Sequence, residues 1–249
     1  MKITIIHKNI EYNVDLSVPY DISIPFEAGE GHVIAWYQGP VQMEPVRMGD
    51  LVGAVKEGAG VNFNNIFFNP HAHGTHTETV GHISPHVEPI NTHFKEYFCF
   101  ANLISVQPER KGEDGIITLD QLKSACPSPS DAIIIRTLPN DKNKLSKNYS
   151  NTNPPYLEEA AATWLHEQGV RHLMIDLPSV DREEDGGKLL AHHAFWNYPN
   201  ATRMEATITE LVYVDDKIND GLYFMNLQVA PFVNDAAPSR PLLFELKKV

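Results

Sequence analysis

Hydrophobic and polar positions alternate through residues 2–6 and 10–16, on either side of a polar His7-Lys8-Asn9 break, which predicts an N-terminal β-hairpin. Asp21-Ile-Ser-Ile-Pro25 predicts another short strand, closed by its proline. Residues 32–60 follow neither helical nor strand period and carry Trp36 and Tyr37 among Gly39, Pro40 and Pro45. An irregular stretch of that length in a compact chain often borders a site. Val61–Phe68 and Ala101–Val106 read as strands, and Thr118-Leu-Asp-Gln121 has the capping-box spacing that starts a short helix to about Ala125. The uninterrupted β-branched run Ala132-Ile-Ile-Ile-Arg136 is expected of a strand covered on both faces. A helix is predicted after Asn153, with Pro154 and Pro155 in its first positions and Gly169 as its stop. Its apolar stripe is Leu157, Ala161, Trp164 and Leu165, and it feeds a buried strand, His172–Asp176. Strands at about 205–214, 222–230 and 242–247 end the chain. The pattern is α/β, and no Pro/Gly/Ser linker divides it. Residues 1–249 therefore read as one domain, with the hairpin of about 1–17 as an appendage.

Composition narrows the function classes. The formal charge of −12 argues against nucleic acid, because neutralising phosphates requires clustered Lys and Arg. No apolar run is long enough to cross a bilayer, so no membrane role is expected. The start, Met-Lys-Ile-Thr-Ile-Ile-His-Lys, lacks the apolar core of a secretory signal. Cys99 and Cys126 are too few for a disulfide framework or a thiolate metal site, and both read as buried small hydrophobes. A cytoplasmic location is expected.

The chemistry concentrates in His71-Ala-His-Gly-Thr-His-Thr-Glu-Thr-Val-Gly-His82; five of the twelve histidines fall between positions 71 and 86. If the chain is extended from His76, then His76, Glu78, Val80 and His82 point one way. Two imidazoles and a carboxylate then converge, ordinary ligands for a divalent ion. One strand supplies too few of them, so others must come from distant sequence. His192-His193 in Leu189–Trp196, and Glu210, a lone carboxylate in the otherwise uncharged Thr207–Val212, are the candidates. A charge on a half-buried strand needs a partner, and a metal is one. An acidic loop, Asp176-Leu-Pro-Ser179-Val-Asp181, lies between them.

Gly74-Thr-His76-x-Glu78, the Asp176-x-x-Ser179-x-Asp181 loop, His192-x-x-Phe195, Ile208-Thr-Glu210-Leu211 and the closing Ala237-Pro-Ser-Arg240-Pro241 come in the order found in the metal-dependent cyclase family. Over residues 18 to 249 the chain resembles that family, which includes bacterial kynurenine formamidases and isatin hydrolases. Its hallmark is H-x-G-T-H-x-D-x-P-x-H, followed by a distant His and a Glu in an I-E-N-L-like strand. The resemblance implies a mixed β-sheet partly curled into a barrel with helices packed outside, and a homo-oligomer, a homodimer or homotetramer. It implies a divalent metal, Zn2+ or Mn2+, on His76, Glu78, His192 and Glu210, with His193 as the fallback for His192. Water activated by that metal, with His82 as general base, would hydrolyse an amide, formamide or cyclic amide. The substrate would be a small aromatic amide, formylkynurenine being the family's best-known one. Trp36, Phe195 and Trp196 are candidates for an aryl pocket.

Three departures from the hallmark stand out. Glu78 replaces Asp, Val80 replaces Pro, and Ala72 stands where the family has its first ligand His. His71 and His73 flank that alanine, and an altered turn before Gly74 would bring either one inward. Should neither arrive, the alternative is a non-catalytic cyclase-fold protein that binds a metal or small ligand. No G-x-S-x-G elbow is present, which disfavours an α/β-hydrolase.

Overall fold

In the computed structural model, which describes residues 1–249, seven strands close a mixed barrel. They are β1 (His76–Glu78), β2 (Phe98–Val106), β3 (Ala132–Thr137), β4 (His172–Ile175), β5 (Thr207–Glu210), β6 (Gly221–Val229) and β7 (Ala236–Glu245). Their order is β6-β2-β3-β4-β5-β1-β7, and β7 pairs back onto β6. The pairs β2/β3, β3/β4 and β4/β5 are parallel, whereas β1 runs antiparallel to both neighbours, β5 and β7. Closure leaves these strands no free edge.

Strand periodicity sorts the side chains into two cores. Ile134, Met174, Leu103, Met225 and Leu243 fill the barrel. The helices are α1 (Pro70–His73), α2 (Ile90–His93), α3 (Leu119–Ala125), α4 (Glu159–Glu167) and α5 (Leu190–Trp196), and Ile133, Ile135, Leu173, Ile175 and Ile208 point outward beneath the last three. The isoleucine run is therefore buried on both faces, as predicted, and the capping box at Thr118 is formed. Cys99 and Cys126 are buried, free thiols.

Four expectations change. The helix predicted from Pro154 begins at Glu159: the two prolines keep the chain extended, and Tyr156–Leu157 pairs with Ile116–Ile117 instead. Leu157 is thus buried from a strand and does not belong to the helical stripe. Of Asp21–Pro25, Asp21 pairs with β7 as part of Tyr20–Asp21, and Ser23 adds a lone antiparallel bridge to Val212. Asn64–Phe67, within the predicted Val61–Phe68 strand, pairs with Gln42–Pro45 as an exposed ribbon and covers no core. The extended run from His76 stops at Glu78, and Val80–His82 forms a 3-10 turn capped by the Thr79 hydroxyl. No helix is long and apolar enough to cross a membrane.

Candidate metal centre

The antiparallel register sets Glu210 opposite His76 and Ile208 opposite Glu78. Directly opposed residues on one face have Cβ atoms about 5 Å apart, so His76, Glu78 and Glu210 share the outer, helix-side face of the barrel. His76 Nε2 is 3.4 Å from Glu210 Oε2. Helix α5 lies over this face and delivers His192, whose Nε2 is 3.1 Å from Glu78 Oε1 and 3.8 Å from Glu210 Oε1. The 3-10 turn, rather than strand alternation, brings His82 Nδ1 to 3.7 Å from Glu78 Oε2.

His71 enters from the other side, on the short helix α1 (Pro70–His73), whose N-terminus Asn69 caps by accepting from His71 N at 2.9 Å. Its Nδ1 lies 3.0 Å from Glu78 Oε2. Gly74 ends this turn because a Cβ there would lie 2.7 Å from the Phe26 ring and 2.9 Å from Ile24 O. His73 is turned away: its Nδ1 accepts from Asn69 N and its Nε2 donates to Gly39 O. His193 likewise points off, donating from Nδ1 to Tyr198 O, and His86 is exposed. The side chain beside Ala72 that reaches the cluster is therefore His71.

Each of the three innermost imidazoles has an acceptor behind it. His76 Nδ1 donates to Gly74 O at 3.0 Å, His192 Nδ1 to Asp181 Oδ2 at 2.6 Å, and His71 Nε2 to Asp235 Oδ2 at 3.0 Å. In the neutral ring, a proton held on one nitrogen leaves a lone pair on the other. All three lone pairs then face Glu78 and Glu210, which are acceptors themselves. His71 Nδ1, His76 Nε2 and Glu78 Oε2 are buried and make no hydrogen bond. Buried polar atoms are rarely left so. Glu78, Asp181, Glu210 and Asp235 have no Lys or Arg within ion-pairing distance; their charged partners are imidazoles alone.

The protonation equilibria express the same deficit of positive charge. Burial works to lower the His71 pKa, but the hydrogen bond to Asp235 and the negative charge of Glu78 beside the ring outweigh it and raise it to about 10. His192 is likewise held back by burial yet raised to about 10 by Asp181 and Glu78. Burial pushes the Glu78 carboxyl up, and the surrounding His82, His192 and His71 more than reverse it, holding it well below the usual range. With only protons at hand, imidazolium ions neutralise the carboxylates. A divalent cation does the same with the lone pairs turned inward. Donor types, orphaned atoms and charge thus all fit a divalent metal: the donor atoms of His71, His76 and Glu78 lie within 4.8 Å of one another, as do those of Glu78, His82 and His192 and those of His71, His82 and Asp235.

Beside His71 and Asp235 a cleft of about 400 Å³ opens to solvent, bordered by Phe67 and Phe68 and by the amides of Gln38, Gln42, Asn69 and Asn234. The expected aryl pocket does not form from Phe195 and Trp196, both fully buried in the helix-side core, where Trp196 Nε1 donates to Ala206 O. Trp36 packs against the Ile24–Tyr149 cluster. Asp235, and Asp181 beyond the loop that carries it, give no signal along the sequence. Neither lies on a periodic position, and a carboxylate in an acidic or turn-rich stretch reads as solvated.

Residues 14–182 match the model of the putative cyclase family, and the chain belongs to that family. Its fold is also that of several solved structures. A predicted metal-dependent hydrolase from Bacillus stearothermophilus is 20% identical, with 91% of this chain and 98% of that one covered at a TM-score of 0.62. An isatin hydrolase bound to the product analogue thioisatinate is 13% identical, covering 92% and 93%, at 0.65. Isatin hydrolase A from Labrenzia aggregata, bound to benzyl benzoate, is 16% identical, covering 91% and 93%, at 0.65. No curated protein matches the sequence.

Proposed function

We propose that this chain is a metal-dependent hydrolase of an amide, formamide or cyclic amide, similar in activity to an arylformamidase, acting in the cytoplasm on a small aromatic amide. The observation that carries the reading is the convergence of inward-facing imidazole lone pairs on two buried carboxylates, with three of those atoms left without partners. Zn2+ or Mn2+ would be held by His76, Glu78, His192 and Glu210, with His71 as the further donor. When bound, the ion supplies Lewis acidity, which acidifies water and polarises a carbonyl. Glu78 and Glu210 offset its charge and His76 fixes its place on the strand. His82 is the general base: Nδ1 faces Glu78 and Asp235 and keeps its proton there, leaving Nε2 to take a proton and return it to the leaving nitrogen. The side-chain amides bordering the cleft suit a carboxamide, and Phe67 and Phe68 suit an aryl group.

Titrating Zn2+ or Mn2+ into chelator-treated protein tests this reading. One ion per chain is expected, with amide hydrolysis restored on loading. Because the pKa values near 10 of His71 and His192 belong to the metal-free state, binding at pH 8 releases about one to two protons per ion. Apparent affinity accordingly rises with pH and levels off above pH 10. Those shifts also mean that the imidazolium–carboxylate pairs stabilise the metal-free fold fully between about pH 4.5 and 6.5, lose that contribution as pH falls through the carboxylate range, and cease to stabilise it above about 10. Full activity after rigorous chelation rejects the reading. Ion binding without turnover of any formamide or cyclic amide leaves the non-catalytic cyclase-fold protein in its place.

We also propose that the chain assembles as a homodimer or homotetramer through the Gln42–Phe67 ribbon. Met48, Leu51, Val55, Val61, Phe63, Ile66 and Phe67 are all more than half exposed on it. Many exposed apolar side chains on one segment suit a contact site, and a two-stranded ribbon is marginal without cover. Light scattering is expected to give two or four times the 28.0 kDa chain mass, and Phe67→Asp should lower it. A monomeric wild type removes the assembly and leaves the chemistry untouched.

A further inference from the structure

We propose that Asp235 is the positioning residue that makes His71 a donor to the centre, supplying in another way the imidazole that Ala72 lacks. The proposal rests on reading the centre as a metal site. An imidazole can present Nδ1 inward only while its proton stays on Nε2, and that tautomer needs an acceptor on the outer side. Asp235 Oδ2, 3.0 Å from His71 Nε2, is that acceptor. The same oxygen lies 3.5 Å from His82 Nδ1, so one carboxylate sits behind both a donor and the base.

Asp235 is held in place independently of either imidazole. Thr79 N donates to its carbonyl at 3.0 Å, and Ile90 N donates to the carbonyl of Asn234 at 2.8 Å. Gly81 permits this approach: a Cβ there would lie 3.1 Å from the Asp235 Cβ and 2.6 Å from Glu88 N. On the far side of the centre the same device recurs, with Asp181 behind His192 and held by the backbone N–H groups of Ala191 and His192. A carboxylate behind a ligating imidazole fixes its ring and raises its basicity, and removing one such partner typically weakens metal binding 10- to 100-fold.

The test is Asp235→Asn, whose amide can donate to His71 Nε2 and so drive the proton onto Nδ1. Zn2+ and Mn2+ are each titrated calorimetrically into metal-free wild type, Asp235→Asn, His71→Ala and the double variant. The expected result is 10- to 100-fold weaker binding by Asp235→Asn, and little further loss when the substitution is made on top of His71→Ala. In Zn2+-loaded wild type, ¹⁵N shifts of labelled histidine should place the His71 proton on Nε2. In metal-free Asp235→Asn they should place it on Nδ1. Binding by Asp235→Asn within threefold of wild type overturns the proposal, and so does an equal loss in the presence and absence of His71. A wild type that binds neither ion overturns the metal reading itself, a separate outcome.

Discussion

Glu78→Gln is expected to weaken metal binding by at least about 100-fold and to take hydrolysis down with it. The Glu78 oxygens meet three imidazoles of the cluster, lying 3.0 Å from His71 Nδ1, 3.1 Å from His192 Nε2 and 3.7 Å from His82 Nδ1. Glutamine keeps the volume but removes the charge that a cation would offset. Its NH2 group also donates into the lone pairs the cation needs, so the centre becomes satisfied by hydrogen bonds alone. The substituted chain should still fold, because His71 and His192 can shed the protons that Glu78 stabilised. Calorimetry, kcat/KM and circular dichroism on one preparation separate these effects. Wild-type affinity in a folded Glu78→Gln protein would remove the carboxylate from the centre.

His82→Ala is the second large effect, of a different kind. It should leave one ion per chain and lower kcat by about 10²- to 10⁴-fold, the range for losing a general acid–base. Among the imidazoles of the cluster His82 is the most open, its side chain 31% exposed against 18% for His71 and 2% or less for His76 and His192. A group that takes and returns protons needs that access, whereas a ligand does not. Steady-state kinetics across pH checks it: the limb of the profile due to the base should vanish in the variant. An unchanged kcat would exclude His82 from the reaction.

The residues that could be read in advance share a physical reason. His76 and Glu78 are two apart, and strand geometry alone places them on one face wherever the strand lies. Glu210 was conspicuous as a carboxylate among Thr, Ile, Leu and Val, and its register opposite His76 accounts for it. His192 followed from Phe195, which packs in the helix-side core while the imidazole faces the barrel wall. Where local rules conflict, the reading failed. Pro154 and Pro155 are good helix starters and equally good extended residues, and pairing with Ile116–Ile117 decided between them. The extended run expected to set His82 beside Glu78 ends too early, and a 3-10 turn brings the imidazole to 3.7 Å from that carboxylate instead.

The sequence by itself determined the isoleucine strand buried on both faces, the capped helix at Thr118 and the His76–Glu78 pair, because each depends on neighbours within a few residues. Only the tertiary structure decided that His71 rather than His73 reaches Glu78, that Asp235 stands behind it across 164 residues of chain, and that Trp196 belongs to the core. Those outcomes turn on where β7 and α5 come to rest once the barrel closes. Such distances between remote segments are set by packing and sheet register, which no local periodicity encodes.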